Sequence, residues 1–361
     1  MTSKEYDLLC IGNAMVDIFA DGSGCAFDHY DLRHPVQHIE MKKLKRILSE
    51  LGGGQIITSG GGAANTAKIA GFLGTKVCFA GAVGGEGAPP EQKGKTAGPD
   101  EFGKLFIKEL KAAGVKLSLS FKPSPTGACL YLNAGGLTRI AASPSAALLL
   151  SESDINENDL KKARMVLVDG FMLGRPGLVQ HLLALAAKYG IVAALDLSSE
   201  AIAAEHAMEC LEYAKGQDLI LFMNEAEAAA FYKAAASGLT VTTREAAESE
   251  KNPPWEIWKF FQSLTEVKKF PIIIVKLGAN GAICFAGGAV FRANTRPVIP
   301  KDSTGAGDAF CAAFLSAWLQ NKTIPECAAP GNHAAGIILG VTGTQAESRQ
   351  FSELAQMLND Q

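Results

Sequence analysis

The chain has 361 residues, of which 48% are hydrophobic and 20% charged, and its formal net charge is −3. This balance gives no electrostatic basis for binding nucleic acid or an anionic membrane, and no apolar segment approaches the ~20 residues that span a bilayer. The 8 cysteines never form a C-x-x-C motif. We therefore expect reduced thiols in a soluble cytoplasmic protein, and neither a zinc site nor a disulfide framework.

The first predicted element is a buried strand over residues 6–12, a short apolar run that ends in glycine. Two polar residues, Asn13 and Asp17, follow it. A run at 55–58 that is typical of a strand leads into residues 60–65 (GGGAAN), which predict the start of a helix. Small residues allow close approach to a helix start, so this segment alone fits ligand binding and tight helix–strand packing equally well.

The middle of the chain has a less regular pattern. It predicts a strand at 77–83, an insertion rich in glycine, proline and lysine at 84–99, a helix at 100–113 and a hairpin of 126–133 with 137–142. The insertion contains the letters GKT, but a Walker A loop needs glycine where Pro89 stands, which excludes a P-loop. Arg139 is a lone charge on the second arm of the hairpin.

From about residue 160 strands and helices alternate regularly. The predicted strands are 165–168, 191–195, 219–222 and 272–275, and the predicted helices lie near 177–189, 200–214 and 225–237. Continuous apolar runs are typical of parallel strands that are buried on both faces. The sequence therefore predicts an α/β fold with helices covering a mostly parallel sheet.

Polar residues recur where these predicted strands end. They are Asp169, Asp196, Asn224 with Glu227, and Lys276. Each could be a helix cap or a first-turn acid. Because the carboxyl ends of parallel strands meet at one edge of a sheet, where ligands bind, their repeated placement favours a ligand site there.

The last notable segment is 301–310 (KDSTGAGDAF), a loop that leads into an apolar helix. Two glycines at a helix start let backbone N–H groups face a ligand, and the positive end of the helix dipole suits an anion. Asp308 places an acid inside this anion site. An ordinary helix cap is one interpretation of that acid. A base beside a phosphoryl group is the other, and phosphoryl transfer to a hydroxyl requires such an arrangement.

Together these segments resemble the PfkB-type carbohydrate kinases, whose ribokinase-like fold includes adenosine kinases and fructokinases. The resemblance implies one doubly wound α/β domain over residues 1–361, with helices on both faces. It also implies a small β-sheet lid from about 14–45 and 118–141. The opening GNAMVDI at 12–18 and GNHAA at 331–335 are similar to the adenosine-kinase-like branch.

The resemblance assigns roles to individual residues. Asp308 would be the general base, and Gly305, Ala306 and Gly307 would supply the N–H donors of the anion hole. The residues expected to bind the acceptor substrate are Asn13, Asp17, Gly61, Asn65 and Arg139. Those expected to bind the nucleotide are Asn224, Lys276, Gly278, Gly281, Ser303 and Asn332.

The implied cofactors are ATP and Mg²⁺, with Asn224 and Glu227 holding the metal through water and a monovalent cation such as K⁺ as a further possibility in the family. The implied partners are a sugar or nucleoside, and the implied assembly is a monomer or a lid-mediated homodimer. Two alternatives stay open to test: a catalytically idle family member that binds sugar or nucleotide, and a nicotinamide oxidoreductase. The second lacks a G-x-G-x-x-G after the first strand.

Overall fold

The computed structural model describes residues 4–24, 26–86, 98–215, 218–238, 254–267 and 270–359, so most of the 84–99 insertion lies outside the described residues. The strands are β1 (Tyr6–Ile11), β2 (Met15–Asp21), β3 (Val36–His38), β4 (Ile56–Gly60), β5 (Val77–Glu86), β6 (Gly98–Pro99), β7 (Lys116–Lys122), β8 (Gly127–Ala134), β9 (Leu137–Ser143), β10 (Ala163–Asp169), β11 (Val192–Asp196), β12 (Leu219–Asn224), β13 (Ile272–Lys276), β14 (Ala282–Ala286) and β15 (Ala289–Ala293). The helices are α1 (Ala26–His29), α2 (Met41–Leu51), α3 (Gly62–Phe72), α4 (Glu101–Ala112), α5 (Glu157–Lys162), α6 (Leu178–Lys188), α7 (Glu200–Glu205), α8 (Ala207–Tyr213), α9 (Glu225–Gly238), α10 (Pro254–Glu266), α11 (Ala306–Trp318), α12 (Ile324–Leu339) and α13 (Ser352–Asn359).

The larger sheet runs in the order β15-β14-β13-β12-β11-β10-β1-β5-β6, with β7 also paired to β5. From β13 to β5 and on to β7 every pair is parallel, and β14 and β15 add an antiparallel edge. The strands β5, β6 and β7 are added to the sheet on one side of β1, and the strands from β10 onward are added on the other side. The crevice between the carboxyl ends of β1 and β10 is therefore a topological switch point, where ligands bind in open α/β sheets.

Helices cover both faces of this sheet, as the apolar strands require. One core cluster packs α5–α10 against residues such as Leu9 and Val166, and the other packs α3, α4 and α11–α13 against residues such as Leu8 and Leu167. Neighbouring residues of one strand thus point to opposite cores. No described helix combines the length and apolar character that crossing a membrane requires.

The smaller sheet runs in the order β3-β9-β8-β2-β4, and we call it the lid. Its outer face, with Val16, Ile18 and Leu130, packs on α1 and α2. The lid differs in its bounds from the expected segments 14–45 and 118–141. Strand β4 joins it because it pairs with β2, whereas β7 belongs to the larger sheet through β5.

Candidate active site

Helix α11 begins without a side-chain cap beside the ends of β11 and β13. Gly305 precedes it with a φ of 80°, and a Cβ there would lie 2.2 Å from Cγ2 of Thr344, so the position requires glycine. The Ala306 N–H, which was expected to be a donor of the anion hole, instead donates to the Ser303 carbonyl at 3.3 Å. In the described chain this leaves the amides of Gly307 and Asp308 as open donors, which suit an anion.

Asp308 lies in the first turn of α11, and its carboxylate points toward α3. Asn65 Nδ2 donates to its Oδ2 at 2.9 Å, and Thr66 Oγ1 donates to its backbone carbonyl at 3.2 Å. Burial raises the pKa of Asp308 to about 7, while the bond from Asn65 opposes the rise and the charge of Asp196 adds to it. The Asp308 carboxylate can therefore gain or lose a proton near neutral pH.

Asn65 is carried by the second glycine-rich helix start, that of α3. Gly61 has a φ of 100°, and a Cβ on it would lie 2.1 Å from the Asn13 carbonyl oxygen, so this position also requires glycine. Asn13 follows β1 at the switch point. The structure thus brings Asn13, Gly61, Asn65 and Asp308 to one place, as the sequence predicted.

Asp17 lies on lid strand β2, on the inner face that looks toward this place. It is 4% exposed, and no hydrogen-bond partner of its carboxylate occurs among the described residues. Burial raises its pKa to about 7, with Lys68 opposing and Asp302 adding. A Cβ on Gly60 would lie 2.3 Å from the Asp17 carboxyl carbon, so the carboxylate occupies the space that this glycine leaves.

Lys276 ends β13 directly below the start of α11. Its Nζ lies 3.0 Å from both carboxylate oxygens of Asp196 and 3.7 Å from the Cys311 sulfur. A Cβ on Gly307 would lie 3.2 Å from the same Nζ. Burial opposes the charge, but Asp196 outweighs it and raises the pKa of Lys276. A fixed positive charge therefore underlies the anion site.

Asn224 and Glu227 form a closed pair at the start of α9. Asn224 donates through its N and Nδ2 to the two carboxylate oxygens, each at 2.8 Å, and the Glu227 N–H donates back to Asn224 Oδ1 at 2.8 Å. Burial raises the pKa of Glu227 to about 7, with the charge of Asp196 adding. This donor set fits Mg²⁺ that keeps its waters, since that ion takes one or two carboxylates together with water and phosphate.

Two of the residues expected at the nucleotide, Gly281 and Asn332, lie at the end of β15. Asn332 donates to the carbonyls of Ala293 and Asn294 at 3.1 and 3.3 Å. A Cβ on Gly281, which has a φ of 79°, would lie 2.0 Å from the Ala293 carbonyl oxygen. Asn294, Asn332 and Val298 line an open cleft of about 760 Å³. Gly278 and Ser303 lie outside the lining of that cleft, in the turn after β13 and just before α11.

Arg139 is placed apart from these residues. On β9 it pairs with Leu132, whose side chain is in the outer lid core, so Arg139 shares the outer face. It donates to the Arg33 carbonyl at 2.8 Å, and its guanidinium lies 5.4 Å from the Phe27 ring centroid. The inner face carrying Asp17 is the opposite one, so the structure does not bring Arg139 to the site.

A scan against protein families matches residues 95–350 to the model described as pfkB family carbohydrate kinase, which is more than half of the chain. The chain belongs to the pfkB family of carbohydrate kinases. Membership makes it a phosphotransferase with an alcohol group as acceptor, as predicted.

Individual relatives cover nearly the whole length. The chain is 25% identical to adenosine kinase 1 of Arabidopsis thaliana over 380 residues, covering 98% of this chain and 100% of that protein. A probable sugar kinase from Rhizobium etli and an adenosine kinase from Sinorhizobium meliloti have solved structures that match with a TM-score of 0.79 each. They are 22% and 23% identical and cover 98% of this chain and 99% of theirs. These likenesses confirm the predicted ribokinase-like fold.

Three residues of this family member carry contacts that the sequence did not suggest. Arg175 Nη2 donates to Asn13 Oδ1 at 2.6 Å, and Thr344 Oγ1 donates to Asn65 Oδ1 at 3.1 Å. Lys68 is 4% exposed and lies behind Asn65. None stands in a glycine-rich start or at a strand end, the two patterns that located the other site residues.

Proposed function

We propose that this kinase transfers the γ-phosphoryl group of ATP to a primary hydroxyl of a sugar or nucleoside, with Asp308 as general base. The observation that carries the proposal is the buried Asp308 carboxylate, held 2.9 Å from Asn65 Nδ2 at the uncapped start of α11. One helix start thus offers N–H donors for a phosphoryl group and an acceptor for the hydroxyl proton. A helix cap would accept from the N–H groups of its own helix, whereas the Asp308 carboxylate accepts from Asn65.

The proposed step is a single in-line displacement. The acceptor oxygen forms a bond to the γ-phosphorus, the bond from that phosphorus to the bridging oxygen breaks, and ADP leaves with the bonding electron pair. The hydroxyl proton passes to Asp308. A base with a pKa of about 7 suits this task at neutral pH, and such positioned bases contribute about 10²–10⁴ in rate.

Three features of the chain would stabilise the negative charge of the phosphates. The amides of Gly307 and Asp308 face the transferred group, and Lys276, fixed by Asp196, lies beneath them. Asn224 and Glu227 would hold hydrated Mg²⁺, which neutralises charge on the phosphate oxygens when it is bound. We assign the base of ATP to the cleft lined by Asn332 and Val298.

The residues on the inner face of the lid favour a nucleoside over a free sugar as the acceptor. Met15 and Cys129 form an apolar cluster there with Ile140, and Phe19 stacks on Tyr131 with ring centroids 4.7 Å apart. A free sugar needs hydrogen-bond partners on most sides, whereas a nucleoside presents a flat apolar base together with a diol. Asp17, Asn13 and Asn65 would bind the diol, and the apolar lid would cover the base.

A panel of acceptors tests the function. Adenosine, inosine, cytidine, ribose, fructose and 2-keto-3-deoxygluconate would each be incubated with ATP and Mg²⁺, with and without K⁺, and ADP and the phosphorylated product measured. We expect turnover of a nucleoside. ATP that raises the melting temperature without turnover of any acceptor would instead support the catalytically idle alternative.

Asp308→Asn tests the base directly. Asparagine has nearly the shape of aspartate, and α11 has no side-chain cap to lose, so the fold should survive while kcat falls about 10²–10⁴-fold. ATP and acceptor should still raise the melting temperature. Glu101→Gln is the control, because Glu101 is also a first-turn acid but its side chain is 84% exposed on α4. Near-normal turnover by Asp308→Asn would refute the mechanism.

A further inference from the structure

A chain of buried polar side chains leads to Asp308 from behind, and two of its members, Lys68 and Thr344, have no part in the chemistry above. Lys68 is 4% exposed and Thr344 is 1% exposed. Lys68 Nζ lies 3.3 Å from Thr344 Oγ1, which lies 3.1 Å from Asn65 Oδ1. Asn65 Nδ2 in turn lies 2.9 Å from Asp308 Oδ2.

The chemistry of these groups fixes the direction of each bond. An ammonium group can only donate, so Thr344 Oγ1 accepts from Lys68. The single hydroxyl hydrogen then has two acceptors in reach, and Asn65 Oδ1 at 3.1 Å is closer than the Ser59 carbonyl at 3.4 Å. With its oxygen engaged, Asn65 turns its NH₂ group to Asp308. That group stabilises the ionised carboxylate.

Other charges bear on both ends of this chain. Lys68 lies 3.6 Å from a carboxylate oxygen of Glu109, and its Nζ donates to Ser59 Oγ at 3.0 Å. Burial lowers the pKa of Lys68, while Glu109 and Asp17 oppose that change. The charged groups that act on Asp308 from neighbouring strands are Asp196, Asp169 and Lys276.

We propose that Lys68 and Thr344 are positioning residues that lock the Asn65 amide in the orientation that holds Asp308 ready to accept a proton. The inference rests on the proposed role of Asp308 as base. If the amide turned over, its oxygen would face the carboxylate and its NH₂ group would face Thr344, which would then have no acceptor in Asn65 for its hydrogen. Because the Lys68 ammonium group donates to Thr344 Oγ1, the hydroxyl hydrogen of Thr344 points away from Lys68 and toward Asn65.

The same chain joins the base to the lid. Ser59 and Thr58 lie on lid strand β4, and Glu109 Oε2 accepts from the N–H and Oγ of Ser59 and from Thr58 Oγ1 at 2.8–2.9 Å. Lys68 contacts both this group and Thr344. The orientation of Asn65 therefore depends on β4 being in place, and a correctly seated lid stabilises the ionised base.

Thr344 permits a clean experiment, because its two branches have separate contacts. Its Cγ2 packs on Gly305, and its Oγ1 carries the hydrogen bonds. Thr344→Val replaces the hydroxyl by a methyl group of similar size, and Thr344→Ser keeps the hydroxyl and removes the methyl group. Thr265 supplies the control, since it is also 1% exposed and hydrogen-bonded but lies in α10.

The readouts are the pH dependence of kcat/KM with adenosine and ATP, and the pH dependence of the melting temperature, which needs no acceptor. In Thr344→Val we expect the acid limb to move up by about 0.5–1 pH unit and kcat near pH 7 to fall about two- to fivefold, because a bond that favours the ionised carboxylate is lost and a smaller fraction of Asp308 is ionised at that pH. Thr344→Ser and Thr265→Val should keep the wild-type midpoint. The melting-temperature profile should move in the same direction.

Two outcomes would overturn the inference: an unchanged midpoint in Thr344→Val, or an equal shift in Thr344→Ser, which would trace the effect to packing on Gly305. Failure of the proposed function is recognised separately. If Asp308→Asn remains active, the proposed role of Asp308 as base is refuted. If Asp308→Asn is inactive and Thr344→Val keeps the wild-type midpoint, only the positioning role of Lys68 and Thr344 is refuted.

Discussion

The starts of α3 and α11 are built alike and differ in what meets their positive ends. Both follow a glycine with positive φ, Gly61 at 100° and Gly305 at 80°, and neither has a side-chain cap. The Ala63 N–H of α3 donates to Asp169 Oδ2 at 3.4 Å. In the described residues no carboxylate accepts from the amides of Gly307 and Asp308, which open α11.

This difference separates two tasks that one sequence pattern can perform. A Cβ on Gly62, the first residue of α3, would lie 3.3 Å from carboxylate oxygens of both Asp169 and Asp308. The positive end of α3 is thus directed at carboxylates of the protein and favours their ionised forms. The positive end of α11 is left for an anion that arrives from outside. In the proposed mechanism, one helix start tunes the base and the other receives the phosphoryl group.

Among the variants that test this comparison of helix starts, the largest effect should come from disturbing the α11 start. Gly305→Ala places a Cβ 2.2 Å from Thr344 in a backbone conformation that alanine rarely adopts, so the N–H donors must move. Loss of one such donor costs about 10²–10³ in kcat. Gly61→Ala should instead raise the KM of the acceptor, because its Cβ would collide with the Asn13 carbonyl. Steady-state kinetics with ATP and adenosine varied separately would distinguish the two.

Gly114→Ala is the matched control for both variants. Gly114 has a φ of 76°, and a Cβ there would meet nothing within 4 Å. It should lower the melting temperature slightly and leave both KM values and kcat unchanged. Loss of kcat in Gly61→Ala equal to that in Gly305→Ala, with no change of acceptor KM, would contradict the division of tasks.

A smaller effect concerns stability. Burial raises the pKa of Asp308 from 3.8 to about 7, so between these values the folded chain binds a proton that the unfolded chain has released. Stability contributed by this group is therefore full below about pH 4 and is lost as pH rises through about 7. Asp308→Asn should melt a few degrees above wild type at pH 8 and closer to it at pH 5. Equal differences at both pH values, measured by calorimetry, would show that α3 fully compensates the buried charge.

The smallest expected effect comes from Asp169, which is one of the charges that raise the pKa of Asp308. Asp169→Asn removes this charge and leaves the positive end of α3 to act on Asp308 alone. The acid limb of kcat/KM should move down by a few tenths of a pH unit. Asparagine can still accept the Phe171 N–H through Oδ1, so the turn after β10 should persist. An unchanged or upward-shifted acid limb would contradict the action of the Asp169 charge on Asp308.

Local patterns predicted much of the fold because they depend on neighbouring residues. The apolar run at 191–195 became β11 (Val192–Asp196), and the pattern at 225–237 became α9 (Glu225–Gly238). The helix predicted at 200–214 breaks at His206, whose φ of −108° separates α7 from α8. Both glycine-rich helix starts were predicted, because glycines followed within a few positions by small helix-forming residues are typical of the start of a helix.

Features that depend on distant residues escaped prediction. The bond from Lys68 to Thr344 joins positions 276 residues apart, and no local pattern marks either one. Arg139 was expected at the substrate because the sequence does not fix which face of β9 it occupies. A shift of one residue in pairing register exchanges the two faces of a strand, and only the pairing with Leu132 decides the matter.

The contact between Gly60 and Asp17 has a consequence for how this family can change over evolutionary time. With a Cβ at position 60 only 2.3 Å from the Asp17 carboxyl carbon, a larger residue there and the carboxylate exclude each other. A lineage that acquires a side chain at position 60 must shorten or lose the acid at position 17. It would then also lose the proposed hydrogen bonds between that acid and the diol. We expect the two positions to co-vary among homologues, so that glycine at the first marks lineages that still use a hydroxylated acceptor.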